Sequence, residues 1–150
     1  MSQSLADVIV HIVFSTKERN PWIQPEIEPE LYAYLSATCR NFDSPVIQLN
    51  GIADHIHMLL LLGKTIPISK LISEVKTSSS RWLKTKGNQY RDFSWQNGYG
   101  AFSVSRPSIN GAIKYVASQK NHHKKVTFKE EFLLMLDRAK IKYDEKYLWD

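Results

Sequence analysis

The sequence predicts an α+β fold: an antiparallel sheet with helices packed on one face, followed by further helices at the C-terminal end. Three observations predict it. β-branched apolar runs and amphipathic helical stretches follow one another in the order β-α-β-β-α-β-α-α. Proline and glycine stand at the joints between them. The first six elements match the split β-α-β, ferredoxin-like (RRM-like) arrangement.

Each element has its own signal. Asp7 to Thr16 reads D-V-I-V-H-I-V-F-S-T, almost continuously apolar, and predicts a buried strand. Asn20-Pro21 and Pro25 mark a boundary, and Pro29 fits the first turn of a helix. Leu31, Tyr34, Leu35, Thr38 and Phe42 then repeat at helical spacing. Residues 46–53 and 54–62 predict two strands, the second ending at Gly63. Pro67 opens a second helix whose apolar side carries Ile68, Leu71, Ile72, Val75 and Trp82. The other side is basic and hydroxyl-rich, with Lys70, Lys76, Ser80, Arg81 and Lys84. Trp95 and the stretch 99–105 predict an aromatic strand region. Pro107 and Ser108 start a third helix, and Thr127-Phe128-Lys129-Glu130 is a capping box that starts another.

Composition sets the limits. The 150 residues suit a single domain spanning residues 1–150. With 43% hydrophobic and 23% charged residues, the chain is neither disordered nor a coiled coil. The lone Cys39 excludes an intramolecular disulfide framework and a multi-cysteine zinc cluster. The first residues show no signal-peptide pattern, and the longest apolar run, 58–62, is far too short to span a bilayer. The expectation is a cytoplasmic protein with no membrane partner. A net charge of +5 leans toward a polyanionic partner.

The sharpest local feature is Asp54-His55-Ile56-His57-Met58. Residues i and i+2 of a strand share a face, so the two imidazoles sit roughly 6–7 Å apart at Cα and can bind one divalent ion. Two polar side chains on an exposed sheet face is the other reading, since a metal needs further ligands. On the third helix, Ile109, Ala112, Ile113, Val116 and Ala117 cluster on one side. Tyr115 and Gln119, at i and i+4, share another face, where they either meet the histidine pair or stay half-exposed. Asp54 reads equally as an outer partner orienting a ring and as a turn residue. His11 reads as a core or backbone-bonded histidine. Trp95, Tyr99 and Phe102 read as aromatic core, with base stacking the alternative. No redox role falls to Cys39.

Several separated stretches together resemble the single-tyrosine HUH transposases, the small transposases of single-strand insertion sequences and their REP-associated relatives. They are His11 to Lys17, Asp54 to His57, Ser79 to Trp82, Trp95 to Ser105, Tyr115 to Gln119 and Tyr147 to Asp150, in the expected order. The resemblance implies that His55, His57 and Gln119 hold a divalent metal, Mg²⁺ or Mn²⁺, and that Tyr115 is the nucleophile. It implies a transposase that nicks and rejoins single-stranded DNA at hairpin-flanked element ends through a 5′-phosphotyrosine, working as a homodimer. It also favours Ser80, Arg81 and Lys84 as DNA contacts through hydroxyl and guanidinium or ammonium donors, and His122 is the further candidate contact. His122 and its neighbour His123 adjoin the tyrosine helix, where either one of them touches a phosphate or neither takes part.

Two other readings stay open. One is a non-catalytic single-strand nucleic-acid module of RRM-like fold, although Gly98 to Phe102 only echoes the aromatic motif of that class. The other is a small metallohydrolase on His55, His57 and His122 or His123, for which no spacing in the sequence supplies an acidic base.

Overall fold

A computed structural model of the chain describes residues 2–150. Four strands, β1 (Ile9–Ser15), β2 (Val46–Ile52), β3 (His55–Leu61) and β4 (Gly100–Val104), form one antiparallel sheet in the order β2-β3-β1-β4. Helices α1 (Glu28–Asn41) and α2 (Ile68–Lys84) complete the β-α-β-β-α-β order read from the sequence. β2 needs Gly51 opposite Ile56 of β3, since a Cβ there would stand 2.1 Å from the His55 carbonyl oxygen.

Alternation on the two central strands separates the faces. Val10, Ile12 and Phe14 of β1 and Ile56, Met58 and Leu60 of β3 point to the same side. There they pack against Leu31, Leu35 and Cys39 of α1 and Leu71, Ile72, Val75 and Leu83 of α2. Trp95 belongs to this core, its indole N–H donating to the buried Ser79 hydroxyl at 2.9 Å. Trp95 is therefore aromatic core, as expected. Phe102 is partly buried on the other side of the sheet, and Tyr99 is more exposed.

The C-terminal helices cover the opposite face. Helix α3 (Ile109–Ala117) rests Val116 on Ile9 and Leu59, and α5 (Phe128–Arg138) rests Phe128, Phe132 and Leu136 around Val13. An RRM-like module would present this face to bases. Here helices close it, because Ile9, Val13 and Leu59 need cover. The predicted N-cap forms: Thr127 Oγ accepts from the Glu130 N–H at 3.2 Å, while its hydroxyl donates to Glu130 Oε1 at 3.0 Å in place of the reciprocal backbone bond of a capping box. The third helix does not run on as predicted. It breaks at Ser118 (φ −95°, ψ 13°), and a short α4 (Gln119–His122) continues from it. A last turn, α6 (Glu145–Leu148), leads Trp149 onto Phe128 and Phe132. Among the described residues no helix is long and apolar enough to cross a membrane.

Candidate active site

β3 carries His55 and His57 onto the face under α3–α5, and both side chains are fully buried. The exposed-face reading of H-x-H is therefore corrected. Each ring has one nitrogen taken up on its outer side. His55 Nδ1 is 2.7 Å from Asp54 Oδ1, and His57 Nδ1 is 2.7 Å from His11 Nε2. Such outer partners fix ring orientation and tautomer, which leaves both Nε2 atoms turned to one point. Asp54 thus fits both readings, since it stands in the β2–β3 turn and its carboxylate contacts the His55 ring. His11 is bonded to a second histidine rather than to backbone.

Three more polar groups reach that point. Gln119 Oε1 lies 3.4 Å from His55 Nε2 and 2.9 Å from His123 Nε2. Glu131 Oε1 lies 2.9 Å from His57 Nε2, 3.0 Å from His123 Nε2 and 3.6 Å from His55 Nε2. His123 is itself fixed by a 2.7 Å contact of Nδ1 with the Val126 carbonyl. On the far side of the carboxylate, the Tyr115 hydroxyl donates to Glu131 Oε2, and His122 Nε2 stands 3.2 Å from the same oxygen. The Tyr115 ring centroid is 5.8 Å from that of His57.

The donor chemistry fits a divalent cation. One donor atom each from His55, His57, His123 and Glu131 lies within 4.8 Å of the others. Adjacent ligands of an ion bound at roughly 2.1 Å stand about 3 Å apart, close to the separations seen here. Burial pushes His57 down to about 4, against the pull of Glu131, and burial pushes His11 down to about 3. Both rings are neutral at pH 7, the form that ligates or relays a hydrogen bond. Burial raises the Tyr115 phenol above its usual range, and the Glu131 carboxylate adds to the rise. For Glu131 burial acts upward, but hydrogen bonds from His123 and His57 outweigh it and keep the group ionised. The same carboxylate raises His123 against its burial.

Of the residues singled out in the sequence, His55, His57, Gln119 and Tyr115 meet within one chain. His122 stands at the rim, its side chain 31% exposed. Ser80, Arg81 and Lys84 lie on α2, across the sheet from the histidines. Ser80 lines an open groove of about 330 Å³ between α2 and residues 94–99, together with Lys76 and Tyr99. Arg81 and Lys84 are exposed. Glu131 was missed. It sits at i+3 from Phe128, on the apolar stripe of α5, and an acid on such a stripe is a legible signal.

The fold is shared with solved transposases. A transposase structure from Deinococcus radiodurans superposes with a TM-score of 0.61 at 19% identity, covering 79% of this chain and 98% of that one. A REP-associated tyrosine transposase bound to a REP hairpin superposes with a TM-score of 0.62 at 12% identity, covering 84% and 76%. No curated protein matches the sequence. The model of the IS200-like transposases matches residues 4–119, and the chain belongs to that family. Residues 122, 123 and 131 fall beyond the matched stretch.

Proposed function

We propose that the chain nicks and rejoins single-stranded DNA, using Tyr115 as the nucleophile. The observation that supports this best is the approach of the Tyr115 ring to His57, beside the Nε2 atoms of His55 and His57 and the amide oxygen of Gln119. The Tyr115 Oη forms a bond to phosphorus and the bond to the 3′ oxygen breaks. The phenolic proton passes to water, and the departing 3′ oxygen takes up a proton from water. The products are a 5′-phosphotyrosine and a free 3′-hydroxyl. Reversal on a second 3′-hydroxyl rejoins strands without ATP, because the phosphodiester energy is kept.

His55, His57 and Gln119 would hold Mg²⁺ or Mn²⁺, which supplies charge stabilisation at the scissile phosphate. The chain's own residues do the rest. Asp54 and His11 hold the rings in register, and α3 brings the phenol over them. The covered sheet face keeps bulk water off the cluster. Ser80, Arg81, Lys84 and His122 are the proposed DNA contacts, and the α2 groove is a place for the strand. The hairpin-bound relative supports hairpin DNA as the partner. A homodimer working in the cytoplasm, as the resemblance in the sequence implies, completes the proposal.

The test is a nicking assay on single-stranded hairpin DNA with Mg²⁺. Wild type forms an SDS-resistant covalent adduct and Tyr115→Phe forms none. Equal adduct from both overturns the proposal. The metallohydrolase reading is favoured by one observation, since Glu131 is the acid the sequence did not supply. It predicts turnover without adduct that survives Tyr115→Phe.

A further inference from the structure

Glu131 is 2% exposed, on a helix that joins the cluster from outside the family-matched stretch. An ionised carboxylate at that depth is costly unless its partners compensate it. Its two oxygens face different groups. Oε1 looks at the Nε2 atoms of His57, His123 and His55, where the amide oxygen of Gln119 also points. Oε2 takes the hydroxyl of Tyr115 and the ring of His122. His123 is held at both nitrogens, by the Val126 carbonyl on one side and by Gln119 and Glu131 on the other.

Building on the function proposed above, we infer that Glu131 and His123 complete the donor set around the divalent ion, and that Glu131 also links that ion to the nucleophile. Oε1 and His123 Nε2 join His55, His57 and Gln119 as ligands. Oε2 keeps the Tyr115 hydroxyl beside them through its hydrogen bond. Glu131 is thus a ligand through one oxygen and a positioning residue through the other. Ion occupancy and phenol position are coupled through a single carboxylate. The second oxygen of a ligating carboxylate commonly carries a hydrogen bond that sets its orientation. The arrangement further explains why an acid occupies a stripe position between Phe128 and Phe132, where an apolar residue would pack at lower cost.

The experiment is Mn²⁺ titration of the full chain without DNA, followed by calorimetry and by the Mn²⁺ paramagnetic resonance signal. Glu131→Gln keeps the shape of the side chain, so the fold is retained, but it removes the charge and one of the two acceptor oxygens. It and His123→Ala are expected to weaken Mn²⁺ binding about 10-fold or more. His57→Ala should abolish binding, while Glu130→Gln, on the exposed side of α5, should bind as wild type does. The link to the nucleophile is read in a double-mutant cycle. Tyr115→Phe should shift Mn²⁺ affinity by about threefold in the wild-type background and not at all with Glu131→Gln.

Binding within about twofold of wild type in both Glu131→Gln and His123→Ala, with His57→Ala inactive in binding, overturns this inference and leaves the transposase proposal standing. A Tyr115→Phe shift of equal size in both backgrounds overturns the link. Absence of Mn²⁺ binding by wild type overturns the inference together with the metal-dependent reading on which it rests.

Discussion

His11 Nε2 lies 2.7 Å from His57 Nδ1, and both rings are buried. The contact runs diagonally across the β1–β3 pair, where Val13 faces His57 and His11 faces Leu59. Burial keeps both rings neutral at pH 7, so one must donate and the other accept. With its Nε2–H donating to Glu131, neutral His57 accepts at Nδ1 from the His11 Nε2–H, and an ion bound at Nε2 would reverse the pair so that Nδ1–H donates to His11.

The first prediction follows from that pair. His11→Ala leaves the His57 Nδ1 group buried without a partner. It is expected to cost about 1–3 kcal/mol of stability and to weaken Mn²⁺ binding about 10- to 100-fold. His11→Gln, whose amide can donate or accept in the same bond, should recover part of both. Urea denaturation and calorimetry read the outcomes. An unchanged midpoint and affinity in His11→Ala would show that His57 is oriented without it.

Phe132 makes α5 testable. It stacks on Phe128 with ring centroids 5.5 Å apart and meets Trp149 at 6.1 Å. Deleting such a ring costs about 3–5 kcal/mol. Because α5 is a terminal layer, the loss is expected to appear as local detachment of the helix. In Phe132→Ala, hydrogen exchange should rise across residues 128–138, while β1 and β3 keep their protection. Mn²⁺ affinity should fall with it, since α5 carries Glu131. Uniform loss of protection over the whole chain would mean that α5 and the sheet unfold as one unit.

Cys39 sets an alkaline limit. It is fully buried in the α1 core, and burial raises its thiol from 9.0 to about 11. The unfolded thiol ionises first, so the contribution is complete below pH 9 and is lost as pH rises toward 11. Two units correspond to at most about 3 kcal/mol. Stability of wild type should fall over that window, and the slope should be shallower in Cys39→Ala. Parallel pH profiles for the two proteins would remove Cys39 as the cause. Native Cys39 should also resist thiol reagents that label it at once in denaturant.

The cluster was legible in part, for identifiable reasons. His55 and His57 share a face by strand period alone, and Tyr115 and Gln119 share one by helical spacing. That spacing survived the break at Ser118, because the Gln119 side chain still donates to the Tyr115 carbonyl at 3.2 Å. His11 was not legible as a partner of His57, since the cross-strand register that makes them diagonal neighbours is set by packing and not by local pattern. Glu131 was obscured by its neighbour Glu130, which fits the capping-box pattern and accounts for an acid at that point in the chain. The first two helices were placed on one face correctly. What no local signal shows is that α3 and α5 close the other face and bring residues 115, 123 and 131 together.

The segment bearing Tyr115 and Gln119 is held on its own sheet by Lys120. Its ammonium donates to Asn50 Oδ1 at 2.9 Å and pairs with Glu28 at 3.0 Å, while the Asn50 amide donates to the Ala117 carbonyl at 3.0 Å. The end of α3 is thereby tied to β2 and to the start of α1. Lys120 is about half exposed, so Lys120→Met is expected to cost less than about 1 kcal/mol in stability. Its effect on reaction should be larger, because small displacements of a nucleophile cost rate steeply. Adduct formation on hairpin DNA under single-turnover conditions should slow by about 10-fold. Asn50→Ala should slow it similarly, and the double variant should be no worse than either single one, since the three groups act as a unit. Wild-type adduct rates in Lys120→Met, or fully additive losses in the pair, would show that α3 keeps its place without this tie.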